Sequence, residues 1–530
     1  MIGVFLTAVA GTVAAIYQHN GGTFTYPTDD PYIHLAMARN LLDHGTFGIA
    51  PHVYASASSS PLWTILLAGS MAIFGRAEWL PLALNVAIGI VLCNQVAKLV
   101  PWQVLQRRRL VTAVVLVGSA GIAPLAVIGM EHVLHASLGV AAFVLVERAR
   151  RGDLDKRGAW LLAAVFAAGS LARFEMGFIA IGCMVALLAL SSDRVGTLRE
   201  GIHEPTLLHA RVRPALIVFG ATAVPILAFG AINIAFGGHL LPNSVIAKSA
   251  YGEGPLSFLT TTEGWRLLAN RLVADPTLVA VVGLAAGTAV LATRTPSRKW
   301  GGTLVAFVIA ALLHGVFAGV GRLDPYWARY DAYLVIAGIA LLVAATRDLP
   351  PDTWRRAATL ALVVVLGFTG FSRVVLLTKL PASSHEVQRQ QLQTATFLGR
   401  YYDGRSVIVN DLGEVAWHHE GDVVDLVGLG TTEVLDAWKA GTFDHRFAEK
   451  VVLEHHAPVA AVYPEWFRGE LPKQWVPVAQ WCMDAPVLVT AGNTCMTWYG
   501  TDAAAAKELR THLAEYRDDL PASVHQVAPA

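Results

Sequence analysis

The chain has 530 residues, of which 54% are hydrophobic and 15% are charged, and its mean hydropathy is +0.50. Because soluble domains carry about a quarter charged residues, this composition excludes an ordinary soluble domain and predicts a polytopic membrane protein. The net charge of +1 and the lack of a long basic run give no indication of a nucleic-acid partner.

The first apolar segment covers residues 2–17. It has neither a basic region before the apolar run nor a convincing small-residue cleavage site before Tyr17, so the sequence favours a retained span over a cleaved signal peptide. Further apolar stretches lie at 61–75, 80–98, 110–128, 132–147, 159–172, 175–190, 214–236, 276–293, 300–319, 329–346 and 357–376. Several are shorter than an untilted span, which needs about 20 residues.

Linkers rich in Lys and Arg orient these stretches. They lie at 106–109, 147–157, 209–213, 293–299 and 346–356, and the positive-inside rule places all of them in the cytoplasm. Alternation of sides then requires that 60–75 forms a re-entrant or interfacial helix, which leaves about eleven crossings. On this scheme many polar residues lie on the outer side: Asp29, Asp30, Glu131, Arg173, Glu175, Asn243, Lys248, Arg322, Asp324, Arg329 and Asp331.

The stretch "DDPYIHLAMARNLLDHG" at 29–45 predicts an amphipathic helix in the outer membrane interface. Asp30 is placed to cap the first turn, Pro31 suits the first helical position, and Gly45 suits the C-terminal stop. A cap needs only one carboxylate, so helix capping does not explain the presence of Asp29. Because ionisable groups at membrane depth are costly and mark functional sites by default, Asp29 is the stronger candidate for chemistry.

The chain changes character after about residue 380. Short β-rich runs such as "SVIVNDLGEVAWH" and "PVAAVYPEWF" lie among helical candidates and predict an α/β domain at 380–530. The alternation of sides along the chain places this domain outside the cytoplasm. The preceding residues 1–379 form the predicted transmembrane domain, with a first external loop at 18–60.

The four cysteines separate by context. Cys482 and Cys495 lie in the C-terminal domain and are predicted to form a disulfide in a compartment that permits oxidation, whereas Cys93 and Cys183 lie in apolar stretches and are predicted to be packing residues. The sequence contains no Walker loop, no dinucleotide-binding fingerprint and no zinc-spaced set of Cys and His residues.

The order of several motifs resembles the glycosyltransferase-C (GT-C) superfamily, polytopic enzymes that use polyprenyl-phosphate-linked sugars. The likeness is to the bacterial branch that holds aminoarabinose transferases, protein O-mannosyltransferases and mycobacterial arabinofuranosyltransferases. It begins with the carboxylate pair in the first external loop and the helix after it. The further segments are "SSSPLW" (58–63), "IGMEHVLHASL" (128–138), "LARFEMGF" (171–178, with Phe174 in place of proline), "LLPNSVIAKS" (240–249, with Ser244 in place of threonine) and "VIVNDLGEVAW…VVDLVGLG" (407–430).

The resemblance implies an inverting transfer of sugar to an extracytoplasmic glycan, lipid or protein of the cell envelope. A carboxylate base takes the proton of the acceptor hydroxyl, and this role falls to Asp29. Asp30 or Glu131 is expected to orient the acceptor or to bind a divalent cation. The leaving lipid phosphate needs cations, for which Lys248 and Arg329 are the candidates. The remaining candidate substrate-binding residues are Arg173, Glu175, Asn243 and His34.

Structural and functional alternatives stay open at this point. Lys248 can equally be a snorkelling side chain at a helix edge, and Arg173 with Glu175 can be an ion pair between packed helices. A transporter or flippase of lipid-linked sugars is the first rival function, although the repeats expected of one are not found. A non-catalytic membrane protein that binds glycan is the second. The expected location is the bacterial plasma (inner) membrane, with active site and C-terminal domain facing the periplasm.

Overall fold

A computed structural model describes residues 1–103, 105–189, 204–248, 261–262, 265–266, 276–293, 300–317, 329–349, 353–484 and 488–529. The helices of the apolar part are α1 (Ile2–His19), α2 (Asp30–His44), α3 (Pro61–Phe74), α4 (Leu80–Leu99), α5 (Arg109–Ala120), α6 (Ile122–Ile128), α7 (His132–Arg150), α8 (Lys156–Ala172), α9 (Met176–Ala189), α10 (Glu204–Ala235), α11 (Asn243–Lys248), α12 (Pro276–Thr293), α13 (Gly301–Phe317), α14 (Ala332–Asp348) and α15 (Thr353–Arg389).

Five segments of the described chain are long and apolar enough to cross a membrane, namely α1, α4, α7, Arg211–Ala235 within α10, and Thr353–Tyr401. The predicted single stretch at 110–128 is two helices, α5 and α6, bent by 46°. The bend lies at Gly121, whose φ of 63° is left-handed and suits glycine. The helical membrane part is thus confirmed, while the count of eleven crossings stays a prediction.

Helix α7 lies at the centre of the bundle, where it packs against α4, α8, α9 and α14. Its neighbours α9 and α13 approach each other backbone to backbone. A Cβ at Gly182 would come within 2.2 Å of the carbonyl oxygen of Ala306. Small residues are what allow helices to pack this closely in a membrane.

A mixed six-stranded sheet follows the helical part. Its strands are β1 (Val407–Val409), β2 (Val423–Asp425), β3 (Val459–Val462), β4 (Val476–Met483), β5 (Cys495–Gly500) and β6 (Val524–Val527), in the order β2-β1-β3-β5-β4-β6. Strand β1 is parallel to β2 and β3, and the remaining pairs are antiparallel. The associated helices are α16 (Gln391–Tyr401), α17 (Gly413–His418), α18 (Thr432–Ala440), α19 (His445–His455) and α20 (Ala503–Tyr516). We call these strands and helices the sheet domain, and its α/β class is as predicted.

Two observations on cysteine confirm the sequence prediction. Cys482 and Cys495 face each other across β4 and β5 and form a disulfide. Cys93 and Cys183 are free thiols buried in the helix bundle.

One long helix joins the two parts of the molecule. Helix α15 passes position 380 without a break and contains Pro381. Just beyond this proline, the hydroxyls of Ser383 and Ser384 donate to the carbonyls of Pro27 and Thr25 in the first loop. The first loop and the sheet domain are therefore both attached to the end of α15.

Candidate active site

Helix α2 is buried along most of its length and begins one residue earlier than predicted. Residues 31–40 are all buried, because α2 packs against α3 of the bundle and α17 of the sheet domain. Its place in the membrane interface stays a prediction. It begins at Asp30, its N-cap residue is Asp29, and no side chain caps it. The predicted capping role of Asp30 is therefore wrong. The predicted stop at Gly45 is confirmed, since its φ is 68°.

Asp29 has a structural contact that the sequence did not predict. Its Oδ2 accepts a hydrogen bond from the amide of Gly413 at 2.6 Å, and its Oδ1 accepts one from the amide of Glu414 at 2.8 Å. These amides open α17, where backbone donors lack partners within the helix. A Cβ at residue 413 would lie 2.1 Å from the Asp29 carbonyl oxygen, so only glycine permits this approach.

The other end of α17 is held by the same helix. Arg39 of α2 is buried and donates to the carbonyls of Ala416, Trp417 and His419 at 2.8–3.2 Å. A carboxylate at the amides and a guanidinium at the carbonyls satisfy the unpaired groups at both ends of this short helix. Asp29 and Arg39 together form what we call the α17 clamp.

Asp411 is the residue of the site that the sequence prediction missed. Its Oδ2 accepts from Gln391 Nε2 at 2.9 Å and from the hydroxyl of Tyr463 at 3.0 Å. Burial, and next the charge of Asp411, raise the pKa of the Asp29 carboxyl well above its usual range, although the two amides of α17 lower it. The segment "NDLG" had been noted as a motif, but nothing in it indicated that Asp411 would lie beside Asp29.

Asp30 belongs to a different set of contacts. Its Oδ2 accepts from Arg329 Nη1 at 2.5 Å. The Arg329 guanidinium also lies 5.1 Å from the ring centre of Tyr330 and bonds the hydroxyl of that side chain. The structure thus brings the predicted carboxylate and the predicted phosphate-binding cation into direct contact.

Glu131, Arg173 and Glu175 form a buried cluster at the start of α7. Arg173 donates from Nη1 to Glu131 Oε1 and from Nη2 to Glu175 Oε1, both at 2.6 Å. Glu131 Oε1 is also 3.5 Å from the hydroxyl of Ser59, and its Oε2 is 3.6 Å from His34 Nε2. The ion pair between Arg173 and Glu175, one of the alternatives above, is therefore present and extends to two further predicted site residues.

Asn243 connects the bundle to the sheet domain. Its side-chain amide donates to the hydroxyl of Thr432 at 2.9 Å and to the carbonyl of Leu429 at 3.4 Å. The loop it meets is held by Asp425, which accepts from three backbone amides at 2.6–3.0 Å. Burial raises the pKa of Asp425 to about 6. Asn243 thus has a docking contact, and the side chain of Lys248 lies outside the described residues, as do Arg322 and Asp324.

A divalent cation was expected at Asp30 or Glu131. Among the side chains that the structure describes, no three from His, Cys, Asp and Glu are placed to hold a metal ion together. The cation therefore stays a prediction, and we assign it no chemical step.

Comparisons with known proteins concern different parts of the chain. A family model described as a domain of unknown function, DUF8728, matches residues 384–499. No curated protein sequence matches the chain. ArnT from Cupriavidus metallidurans in the apo state is similar in structure, with a TM-score of 0.52, 11% identity, and coverage of 95% of this chain and 98% of ArnT.

Two further solved structures are similar at lower scores. ArnT bound to undecaprenyl phosphate gives a TM-score of 0.48 at 11% identity, with 95% of this chain and 99% of ArnT covered. The oligosaccharyltransferase of Archaeoglobus fulgidus, in complex with Zn and sulfate, gives 0.45 at 12% identity, with 99% and 74% covered. The apo ArnT match spans nearly all of both chains, and it shows that this chain shares the fold of ArnT.

Proposed function

We propose that the protein is a membrane glycosyltransferase that moves a sugar from a polyprenyl-phosphate donor to an extracytoplasmic acceptor. The observation that carries this proposal is the meeting of Asp29, Asp30 and Arg329 where the bundle joins the sheet domain of a GT-C fold. ArnT, which shares the fold, has been crystallised with undecaprenyl phosphate, a donor-type lipid.

In the proposed reaction Asp29 is the general base. It takes the proton of the acceptor hydroxyl while that oxygen attacks the anomeric carbon, and the bond from this carbon to the phosphate oxygen breaks with inversion. The base works best when its pKa is close to the working pH, and burial together with Asp411 moves the pKa of Asp29 in that direction.

Arg329 is proposed to stabilise the leaving phosphate. Its guanidinium is held by Asp30 and lies against Tyr330, which fixes its direction. A cation placed where negative charge develops lowers the barrier to bond breaking. Lys248 is a second proposed phosphate partner from the sequence. Glu131, with His34 and Arg173, is proposed to orient the acceptor.

The test uses two residues of the same clamp. Asp29→Asn keeps the shape of the side chain but cannot take a proton, so transfer from a polyprenyl-phosphate sugar should slow by at least about a hundredfold. Arg39→Gln is the matched control, because it weakens the same clamp on α17 without changing the base. Donor binding should be retained in both variants.

The two rival functions predict other outcomes. If Asp29→Asn and Arg39→Gln lose activity equally, Asp29 acts through the clamp and not as a base. A transporter would move the lipid-linked sugar across a vesicle membrane without forming a new glycosidic bond, and a glycan-binding protein would show neither activity.

The proposed location is the plasma membrane with the sheet domain outside the cytoplasm. The disulfide between Cys482 and Cys495 supports this, because disulfides persist in oxidising compartments. The exposed arginines 107–109 lie at the start of α5, and the positive-inside rule places them in the cytoplasm. Single cysteines introduced at Arg108 and at the exposed Glu454 of α19 should be labelled from opposite sides of intact cells.

A further inference from the structure

The crossover direction of the parallel part of the sheet reverses at β1. From β1 the chain crosses to β2 on one side, and from β2 it crosses back to β3 on the other side of β1. In open α/β sheets such a reversal leaves a crevice beyond the carboxyl ends of the strands, and ligands bind there. A crevice at the ends of β1 and β3 would face α2 of the bundle, because Gly413 after β1 contacts Asp29.

Polar side chains line this crevice. Asn410 and Asp411 follow β1, and Tyr463 follows β3. The amide of Tyr463 donates to Asn410 Oδ1 at 2.8 Å. Its hydroxyl donates to Gln390 Oε1 at 2.5 Å and lies 3.0 Å from Asp411 Oδ2. Asn410 Nδ2 and Gln391 Oε1 are buried and have no hydrogen-bond partner within the described chain. An unsatisfied donor and an unsatisfied acceptor thus lie beside Asp411.

A tryptophan forms the outer wall of the crevice. Trp466 is 41% exposed, and its ring centre lies 5.1 Å from that of Tyr463. A Cβ at Gly492 would come within 2.3 Å of the Trp466 ring, so the segment around Gly492 packs directly against it. That segment is fixed in turn by Glu386 of α15, whose carboxylate accepts from the amides of residues 489–491 at 2.7–3.1 Å. Trp466 is therefore an exposed aromatic ring on a rigid support.

A carbohydrate fits this combination of groups. The face of an indole ring carries partial negative charge, and it attracts the C–H groups on one face of a sugar ring. Carboxylate and amide groups at the edge of the same ring bond the sugar hydroxyls. The charge of Asp29 and Asp411 opposes an anionic ligand, so the sugar is expected to be neutral.

We infer that the crevice formed by Trp466, Tyr463 and Asp411 is the acceptor subsite and that the acceptor is a neutral glycan. This inference rests on the proposed function and adds the acceptor class to it. Trp466 stacks on one sugar ring, and Asp411 bonds its hydroxyls. The hydroxyl that reacts then points past Tyr463 towards Asp29, whose charge acts on Tyr463 as well.

The test measures binding of two neutral probes to the full-length protein in detergent, methyl mannotrioside as a pyranose and methyl arabinofuranotrioside as a furanose. Trp466→Ala should weaken binding of the preferred probe about tenfold, and Trp466→Phe should keep most of the affinity. Gly492→Ala should weaken it too, because the added Cβ displaces the ring. Trp160→Ala is the matched control, since Trp160 is a 79% exposed tryptophan of α8, far from the crevice.

Donor hydrolysis is measured on the same variants to separate the two hypotheses. Trp466→Ala should still bind and slowly hydrolyse a polyprenyl-phosphate sugar. Equal probe binding by wild type and Trp466→Ala, or no binding by the wild type, overturns the glycan subsite while donor hydrolysis leaves the proposed function standing. Preferred binding of a peptide at Trp466 also overturns it. Absence of donor binding in the wild type would instead overturn the proposed function.

Discussion

The two ends of α7 carry buried glutamates with different surroundings. At the far end from the sheet domain, Glu147 accepts from Arg150, Arg151, the amide of Trp300 and the hydroxyl of Thr303, at 2.5–3.2 Å. Both of its oxygens are satisfied. This cluster joins α7 to α13, and a fully bonded buried network is what a structural joint requires.

Glu131, at the sheet-domain end, has an incomplete set of bonds. Its Oε1 is bonded by Arg173 and by the hydroxyl of Ser59, whereas its Oε2 has no hydrogen bond within the described residues and lies 3.6 Å from His34 Nε2. An unsatisfied buried carboxylate oxygen costs stability, and proteins keep such groups mainly at functional sites. We therefore propose that charge at the two ends of this helix serves structure at one end and binding at the other.

Of the two glutamates, Glu131 should have the larger effect on activity when changed to Gln. The change removes the charge that holds Arg173 towards the site, and misplacement of a positioning group by about 1 Å can slow a reaction about a hundredfold. Transfer should fall by about that factor, while the thermal midpoint in detergent changes little. A large loss of stability with normal turnover would reverse the comparison.

Glu147→Gln should show the opposite pattern. Two arginines would lose the charge of their shared partner inside the protein, which typically costs about 3 kcal/mol. Unfolding in mixed micelles should reveal this loss. Turnover per folded molecule should remain at the wild-type level, and a specific loss of turnover would assign function to this end also.

Asp411→Asn should shift the pH dependence of transfer. The charge of Asp411 raises the pKa of Asp29, so its removal lowers that pKa and leaves the base deprotonated at lower pH. The acidic limb of the rate profile should therefore move to lower pH. Asp519→Asn, at an exposed carboxylate paired with Arg400, serves as the control and should leave the profile unchanged.

The smallest effect is expected from Arg151→Gln. The Arg151 side chain is 23% exposed, and Glu147 keeps its other donors. Exposed or half-exposed pairs contribute at most about 1 kcal/mol. Stability measured beside Glu147→Gln should show a clearly smaller loss, and equal losses would mean that the cluster depends on Arg151 more than its geometry indicates.

The sequence predicted the helical bundle, the α/β domain and the disulfide because each follows from local pattern. Apolar runs, β-rich runs and cysteine context are readable over short windows. The chemistry of the first loop was predicted less well. Asp30 was predicted to be the N-cap because Pro31 follows it and suits the first helical position. Helix α2 instead begins at Asp30, and shifts of one residue are common at helix ends.

Contacts between distant residues account for what the sequence could not predict. The amides bound by Asp29 are 384 and 385 residues further along the chain. Arg39 is a charged residue near the middle of α2, and it is buried because α17 supplies carbonyls there. Asp411 could be found only once the sheet placed it beside the first loop.

The length of helix α15 determines how far the sheet domain moves when the helix tilts. A helix of 37 residues is about 55 Å long, so a tilt of about 5° at one end moves the other end by about 5 Å. Helix α15 belongs to the bundle and leads directly into the sheet domain. Pro381 is the position at which this helix bends most easily. A tilt of α15 would therefore move the sheet domain, which includes Trp466, relative to the bundle.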